Sequence, residues 1–182
     1  MQLQYRNVYT DGTLSDEHYA TIEGIQKSKD WFVCNLYHAA VPFMIYRKSL
    51  LQKYSLQFYP GIYHEDSEFK PKVVYLADTC ASYDKVAYNY FKGNFNSITA
   101  VLKLKNGVDL FTVMNSLYDF VNENRVKGIY RRSFYTQIGN AMKRIKLLIK
   151  FFVSAIVVSC TLDDASFIEN KVYLDRESVE RV

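Results

Sequence analysis

Tyr59-Pro60-Gly61-Ile62-Tyr63-His64-Glu65-Asp66-Ser67-Glu68-Phe69 is the stretch on which the reading of this 182-residue chain turns. Pro60-Gly61 is a turn signal inside a loop over residues 55–64. Glu65, Asp66 and Glu68 then precede Phe69, Val73, Val74, Leu76 and Ala77, an apolar set at helical spacing. The pattern predicts a loop-to-helix junction with the carboxylates in the first turns. Pro71 moves the expected start toward Lys70, because a proline beyond the first turn kinks the axis. Adjacent carboxylates at such a junction suit two roles. They compensate the helix dipole, worth about 0.3–1 kcal/mol, or one of them, at the mouth of a cleft, acts as a general base on a hydroxyl.

Upstream, residues 47–54 read as a short helix with Leu50 and Leu51 inward, and Val41-Pro42-Phe43-Met44-Ile45-Tyr46 reads as a buried strand beginning near a proline. The first 30 residues read as a turn at Asp11-Gly12 followed by a helix over about 15–27. Downstream, residues 79–83 and 86–91 read as two extended segments separated by Asp84-Lys85, and 92–96 as a loop. Leu110, Phe111, Val113, Met114, Leu117, Tyr118 and Val121 define an amphipathic helix over about 108–124. A second helix over about 133–160 carries the stripe Ile138, Met142, Ile145, Ile149, Phe152 and Ile156, and residues 163–182 form a short acidic tail.

Hydrophobic residues at 49% and charged residues at 23% describe a chain with a real core. Only 7 Gly and 3 Pro beside 16 Tyr and 12 Phe favour long elements over the many tight turns of a β-sandwich. Cys34, Cys80 and Cys160 form no CxxC pair, so neither a disulfide framework nor a zinc finger is indicated, and a reducing compartment fits. The first residues lack the order of a signal peptide, and the longest apolar run, 151–162, falls short of the ~20 residues of a spanning helix. The location expected is cytoplasmic. Serine-triad, P-loop and dinucleotide signatures are absent, and His18, His38 and His64 form no metal motif.

The net charge of +4 is unevenly spread: residues 125–162 hold 8 basic and no acidic side chains. They are Arg125, Lys127, Arg131, Arg132, Lys143, Arg144, Lys146 and Lys150. Three readings suit them. The lysines form the solvated side of an amphipathic helix; or Lys143, Arg144, Lys146 and Lys150, beside Ile145, Leu147, Leu148, Phe151 and Phe152, meet the inner face of an anionic membrane; or the face docks a partner. No nucleic-acid signature accompanies them, so nucleic acid is not expected as a partner.

The order Ile45-Tyr46-Arg47-Lys48-Ser49-Leu50-Leu51, Leu56-Gln57-Phe58, Gly61-Ile62-Tyr63-His64-Glu65-Asp66, Phe69, Ala77, Tyr88-Asn89-Tyr90 and Asn96-Ser97-Ile98 resembles the acceptor-side half of a family 2 glycosyltransferase, over about residues 25–125. The resemblance implies an α/β fold: part of a GT-A-like nucleotide-diphospho-sugar transferase domain with few short strands (1–125) and a helical C-terminal extension with an acidic tail (126–182). It implies an inverting transfer from a nucleotide-sugar donor to a glycan or lipid-linked acceptor, of the kind used in polysaccharide biosynthesis at a bacterial cell envelope. Asp66 takes the position of the base, with Glu65, His64 and Tyr63 at the acceptor. The family also holds a divalent cation, Mn or Mg, through an Asp-x-Asp element, but no ligands for it are identified here, and Asp163-Asp164 reads as a helix-terminating pair. The nucleotide half has no room before Trp31, so this portion alone is expected to be a poor catalyst or none. The rival expectation is a non-catalytic interaction or membrane-surface module built on the same shape.

Overall fold

The computed structural model describes residues 1–17, 24–34, 41–93 and 103–161. His18, His38, Asn96-Ser97-Ile98, Asp163-Asp164 and the acidic tail lie outside the described residues. Those described form a mixed α/β arrangement of five α-helices and two small sheets.

Strand β1 (Gln2–Val8) is the centre of a three-stranded sheet, antiparallel to β2 (Leu14–Glu17) and parallel to β5 (Ser82–Phe91). The β1–β2 turn forms at Asp11-Gly12 as expected: Gly12, at φ +83°, donates to the Tyr9 carbonyl at 3.0 Å, and Asp11 Oδ1 accepts the Thr13 N–H at 2.8 Å. The helix expected over 15–27 is not found where the chain is described. Leu14-Ser15-Asp16-Glu17 offers no apolar stripe to bury, and the turn delivers it to the β1 edge. Gln26 and Lys27 form β3 against β4 (Thr79–Cys80).

Asp84-Lys85 does not end a strand either. Leu3 faces Tyr83 and Gln4 faces Val86, so the two polar residues bulge out of one continuous β5. The buried strand expected at Val41-Pro42-Phe43-Met44-Ile45-Tyr46 is instead a 3-10 turn (Val41–Phe43) followed by a single bridge from Met44 to Gln2. Pro42 has no N–H to give a ladder. Phe43 lays its ring on Tyr5, with centroids 3.8 Å apart, and takes Tyr88 and Tyr90 edge-on at 5.8 Å each.

The helices are α1 (Ser28–Cys34), α2 (Lys48–Lys53), α3 (Glu65–Leu76), α4 (Leu104–Glu123) and α5 (Gly128–Thr161). Helix α2 stands where expected, with Leu50 and Leu51 half-buried. Helix α3 starts at Glu65 and not near Lys70, because His64 sits in the left-handed region at φ +66° and its carbonyl accepts the N–H groups of Ser67 and Glu68 at 3.0 and 3.3 Å. It runs on through Pro71, which has no N–H for the Ser67 carbonyl. Helix α4 begins four residues before the expected 108, where Asn106 Oδ1 accepts the Lys103 N–H at 2.8 Å.

Phe32 of α1, Tyr75 of α3, Phe120 of α4 and Phe134 of α5 share one aromatic cluster. The Phe134 centroid lies 4.8 Å from Phe32, 5.4 Å from Phe120 and 5.6 Å from Tyr75. Val126 and Phe134 are buried in the same core as Trp31, Phe32 and Val113, so the core runs across the 125/126 boundary. The buried row of α5 is Phe134, Ala141, Ile145 and Leu148, while Met142 and Ile149, expected inside, are exposed. The small Ala141 and Gly107 let α5 lie close to α4: a Cβ added at Gly107 would come 3.7 Å from Leu148 Cδ1.

A buried charge pair fastens α3 to α4. Lys72 binds Glu68 one turn earlier and donates to Ser116 Oγ at 2.7 Å, and Ser116 Oγ donates to Glu68 Oε1 at 2.6 Å. Removing the lysine strands a buried carboxylate. Lys72→Met is expected to cost about 3 kcal/mol in urea unfolding, and Ser116→Ala about 1 kcal/mol; equal and negligible losses would show that the network does not join the helices.

Candidate functional site

The turn at Pro60-Gly61 and the start of α3 place Tyr63, His64, Glu65 and Asp66 in one half-buried row. Gly61, at φ +76°, supplies the left-handed turn that a side chain would strain. The loop is held from α4. Asp109, only 4% exposed, accepts the Tyr63 N–H at 2.7 Å and pairs with Lys105 at 2.7 Å, and Lys105 Nζ donates to the Gly61 carbonyl at 2.8 Å. The Lys105 ammonium also stands 5.1 Å over the Tyr63 ring. One ion pair thus fixes both the backbone and the ring of the residue before His64.

Burial acts on the protonation of His64 and of Asp66. It pushes the His64 imidazole down to about 4, with the Arg144 guanidinium adding in the same direction and Asp109 opposing, so His64 is neutral at pH 7. Burial raises the Asp66 carboxyl above its ordinary value, and the Glu65 carboxylate adds to the rise. Ser67 works the other way, donating its N–H to Asp66 Oδ1 at 2.6 Å and its hydroxyl at 3.2 Å, and Arg144 also favours the ionised form. Burial brings Lys70, one turn on, down to about 8 against the pull of Asp66, and its ammonium lies 5.5 Å over the Trp31 ring. The Tyr46 phenol is raised by burial and then by Asp66, and its ring meets Phe69 edge-on at 5.3 Å.

Tyr63, His64, Glu65 and Asp66, consecutive in the sequence, are all half-buried. Lys143, Arg144, Lys146 and Lys150 are all exposed on α5, and of these four it is the Arg144 charge that acts on His64 and Asp66. Tyr46, Lys70, Lys105 and Asp109 were not singled out from sequence. Lys105-x-x-x-Asp109, an oppositely charged pair at the spacing of one helical turn, is the one available signal, although Lys105 precedes the helix predicted from 108.

Among the described residues no three His, Cys, Asp or Glu side chains converge on a metal position. Asp66 is engaged by Ser67, and Asp109 by Lys105 and Tyr63. Ligands for the divalent cation that the resemblance implies are not identified among the described residues. A cavity of about 650 Å³ is lined by residues that include Met44, Tyr46, Leu50, Val74 and Cys80, and Asp66 does not line it. Comparison with protein-family models, curated proteins and solved structures finds no match.

The His64 environment fixes a pH dependence. The unfolded chain takes up the imidazole proton near pH 6.5 and the folded protein only near 4, so the unfolded state binds more protons between those values. This contribution to stability is present above 6.5 and is lost as pH falls toward 4. His64→Gln is expected to shrink the fall in urea midpoint between neutral and acidic pH; an undiminished fall would place the imidazole in water.

Proposed function

We propose that the chain is the acceptor-side half of an inverting glycosyltransferase of the family 2 type, with part of a GT-A-like domain, and that Asp66 is its general base. The observation that carries this reading is the placement of Asp66: half-buried at a rigid loop-to-helix junction, with its carboxyl raised by burial and aligned by Ser67. A base works best when its proton affinity approaches the operating pH, and desolvation moves a carboxyl in that direction.

In the reaction proposed, an acceptor hydroxyl passes its proton to Asp66 as its oxygen attacks the anomeric carbon of a nucleotide sugar. The bond from that carbon to the diphosphate oxygen breaks, the diphosphate leaves with the electron pair, and the configuration inverts. Neutral His64 and the Tyr63 ring stand at the acceptor side, where they bind hydroxyls without adding charge beside the base. Glu65 takes a hydrogen bond from the acceptor sugar. The nucleotide-sugar donor is held by groups beyond those described, and the acceptor is a glycan or a lipid-linked saccharide. The reading places the reaction in the cytoplasm.

The test is release of nucleoside diphosphate from a nucleotide sugar by the protein carrying its donor-binding half. Asp66→Asn is expected to lower kcat by about 10²–10⁴-fold, with the acceptor KM and the unfolding midpoint nearly unchanged. Unchanged turnover would remove Asp66 from the role.

A further inference from the structure

Helix α5 uses one side to pack on α4, through Ala141, Ile145 and Leu148. That orientation leaves a different set of apolar side chains outside. Met142 is 47% exposed, and Ile149 and Val153 are each 54% exposed. Counting from Met142, Lys146, Ile149, Lys150 and Val153 follow at four, seven, eight and eleven residues, which is one helical face. Lys146 and Lys150 stand on that face with Lys143 beside it, all three exposed. No acidic residue occurs between positions 125 and 161 to weaken the field. Nor is any helix of the described residues long and apolar enough to cross a membrane.

An exposed apolar row needs a partner that gains by burying it. A nucleic-acid backbone would pair with the lysines, but it gains nothing from Met142, Ile149 and Val153, and between Met142 and Val153 this face carries no aromatic ring for a base to stack on. An anionic bilayer satisfies both halves of the face: the apolar side chains enter the acyl boundary while the lysine stems lie along it and carry their ammonium groups to the headgroups. We propose that the outer face of α5, Met142, Lys146, Ile149, Lys150 and Val153 with Lys143 at its flank, docks in the plane of an anionic lipid surface. The proposal rests on that face alone and is independent of the transferase reading. Ile145 and Leu148, which the sequence pattern assigned to the same contact, stay in the core.

The test is co-sedimentation of the full chain with vesicles of phosphatidylcholine alone or mixed with phosphatidylglycerol. Binding is expected only to the mixed vesicles and falls with added salt. Lys143→Gln, Lys146→Gln and Lys150→Gln together are expected to lower the partition coefficient about 100-fold, at about fivefold per lysine. Ile149→Trp reports depth: its emission is expected to shift to the blue with mixed vesicles and to be quenched by brominated lipid. Asp66→Asn leaves binding unchanged, so loss of turnover and loss of docking are read separately. The proposal is overturned by equal binding to both vesicle types, by undiminished binding of the triple variant, by tight binding to a DNA duplex without vesicle binding, or by a blue shift of the Ile149→Trp emission on self-association without lipid.

Discussion

The contact of Phe134 with Phe32, Tyr75 and Phe120 is the constraint from which the positions of the other parts follow. Each ring comes from a different helix, so one aromatic cluster sets α1, α3, α4 and α5 against each other. Such pairs contribute about 0.5–1.5 kcal/mol each beyond the area they bury. Helix α3 lies in the middle of this arrangement, which is why Glu68, Phe69, Lys70 and Pro71 are buried in succession. A charged residue enclosed in this way requires a partner, and the Glu68, Lys72 and Ser116 network supplies it from α3 and α4. The cluster and the network together leave α3 little freedom to rotate, and the direction of its first turn is fixed.

That direction brings the row from Tyr63 to Asp66 under α4 and beside Arg144. The same burial acts with opposite sign on its acid and its base: the neutral form is favoured in both, so the His64 imidazole is lowered and the Asp66 carboxyl raised. A solvated helix start would do neither. The N-terminal end of a helix favours an anion, and Ser67 and Arg144 do so here, but desolvation outweighs them at Asp66. The site is thus a product of packing more than of local sequence, although its four residues are consecutive.

This difference explains what was legible in the sequence. Helices α2, α4 and α5 have apolar spacings that the core uses, and the 55–64 loop carries its own turn residues, so all four were readable. Strand β1 is not: Gln2, Gln4, Arg6 and Asn7 leave only Leu3, Tyr5 and Val8 as apolar residues, too few to mark a strand, and its place comes from pairing with β5 some eighty residues away. The α5 stripe holds at Ile138, Ile145 and Phe152 and fails at Met142 and Ile149, because the core side turns toward Ala141, which is too small to weigh in a hydrophobic pattern. At the site, neighbours in sequence were found and neighbours in space were missed. Tyr46, Lys105 and Asp109 reach it from other elements, and Arg144 was read as part of a uniform basic face.

Enclosure of the α3 start, not the acidic sequence alone, sets the chemistry of Asp66. The most direct measurement is a carbon-detected magnetic resonance titration of the Asp66 side-chain carboxyl in the folded chain. A midpoint above the ordinary 3.8 is predicted. A midpoint at or below that value would contradict the account, because Asp66 would then be a solvated helix-capping carboxylate and not a base held in a desolvated site.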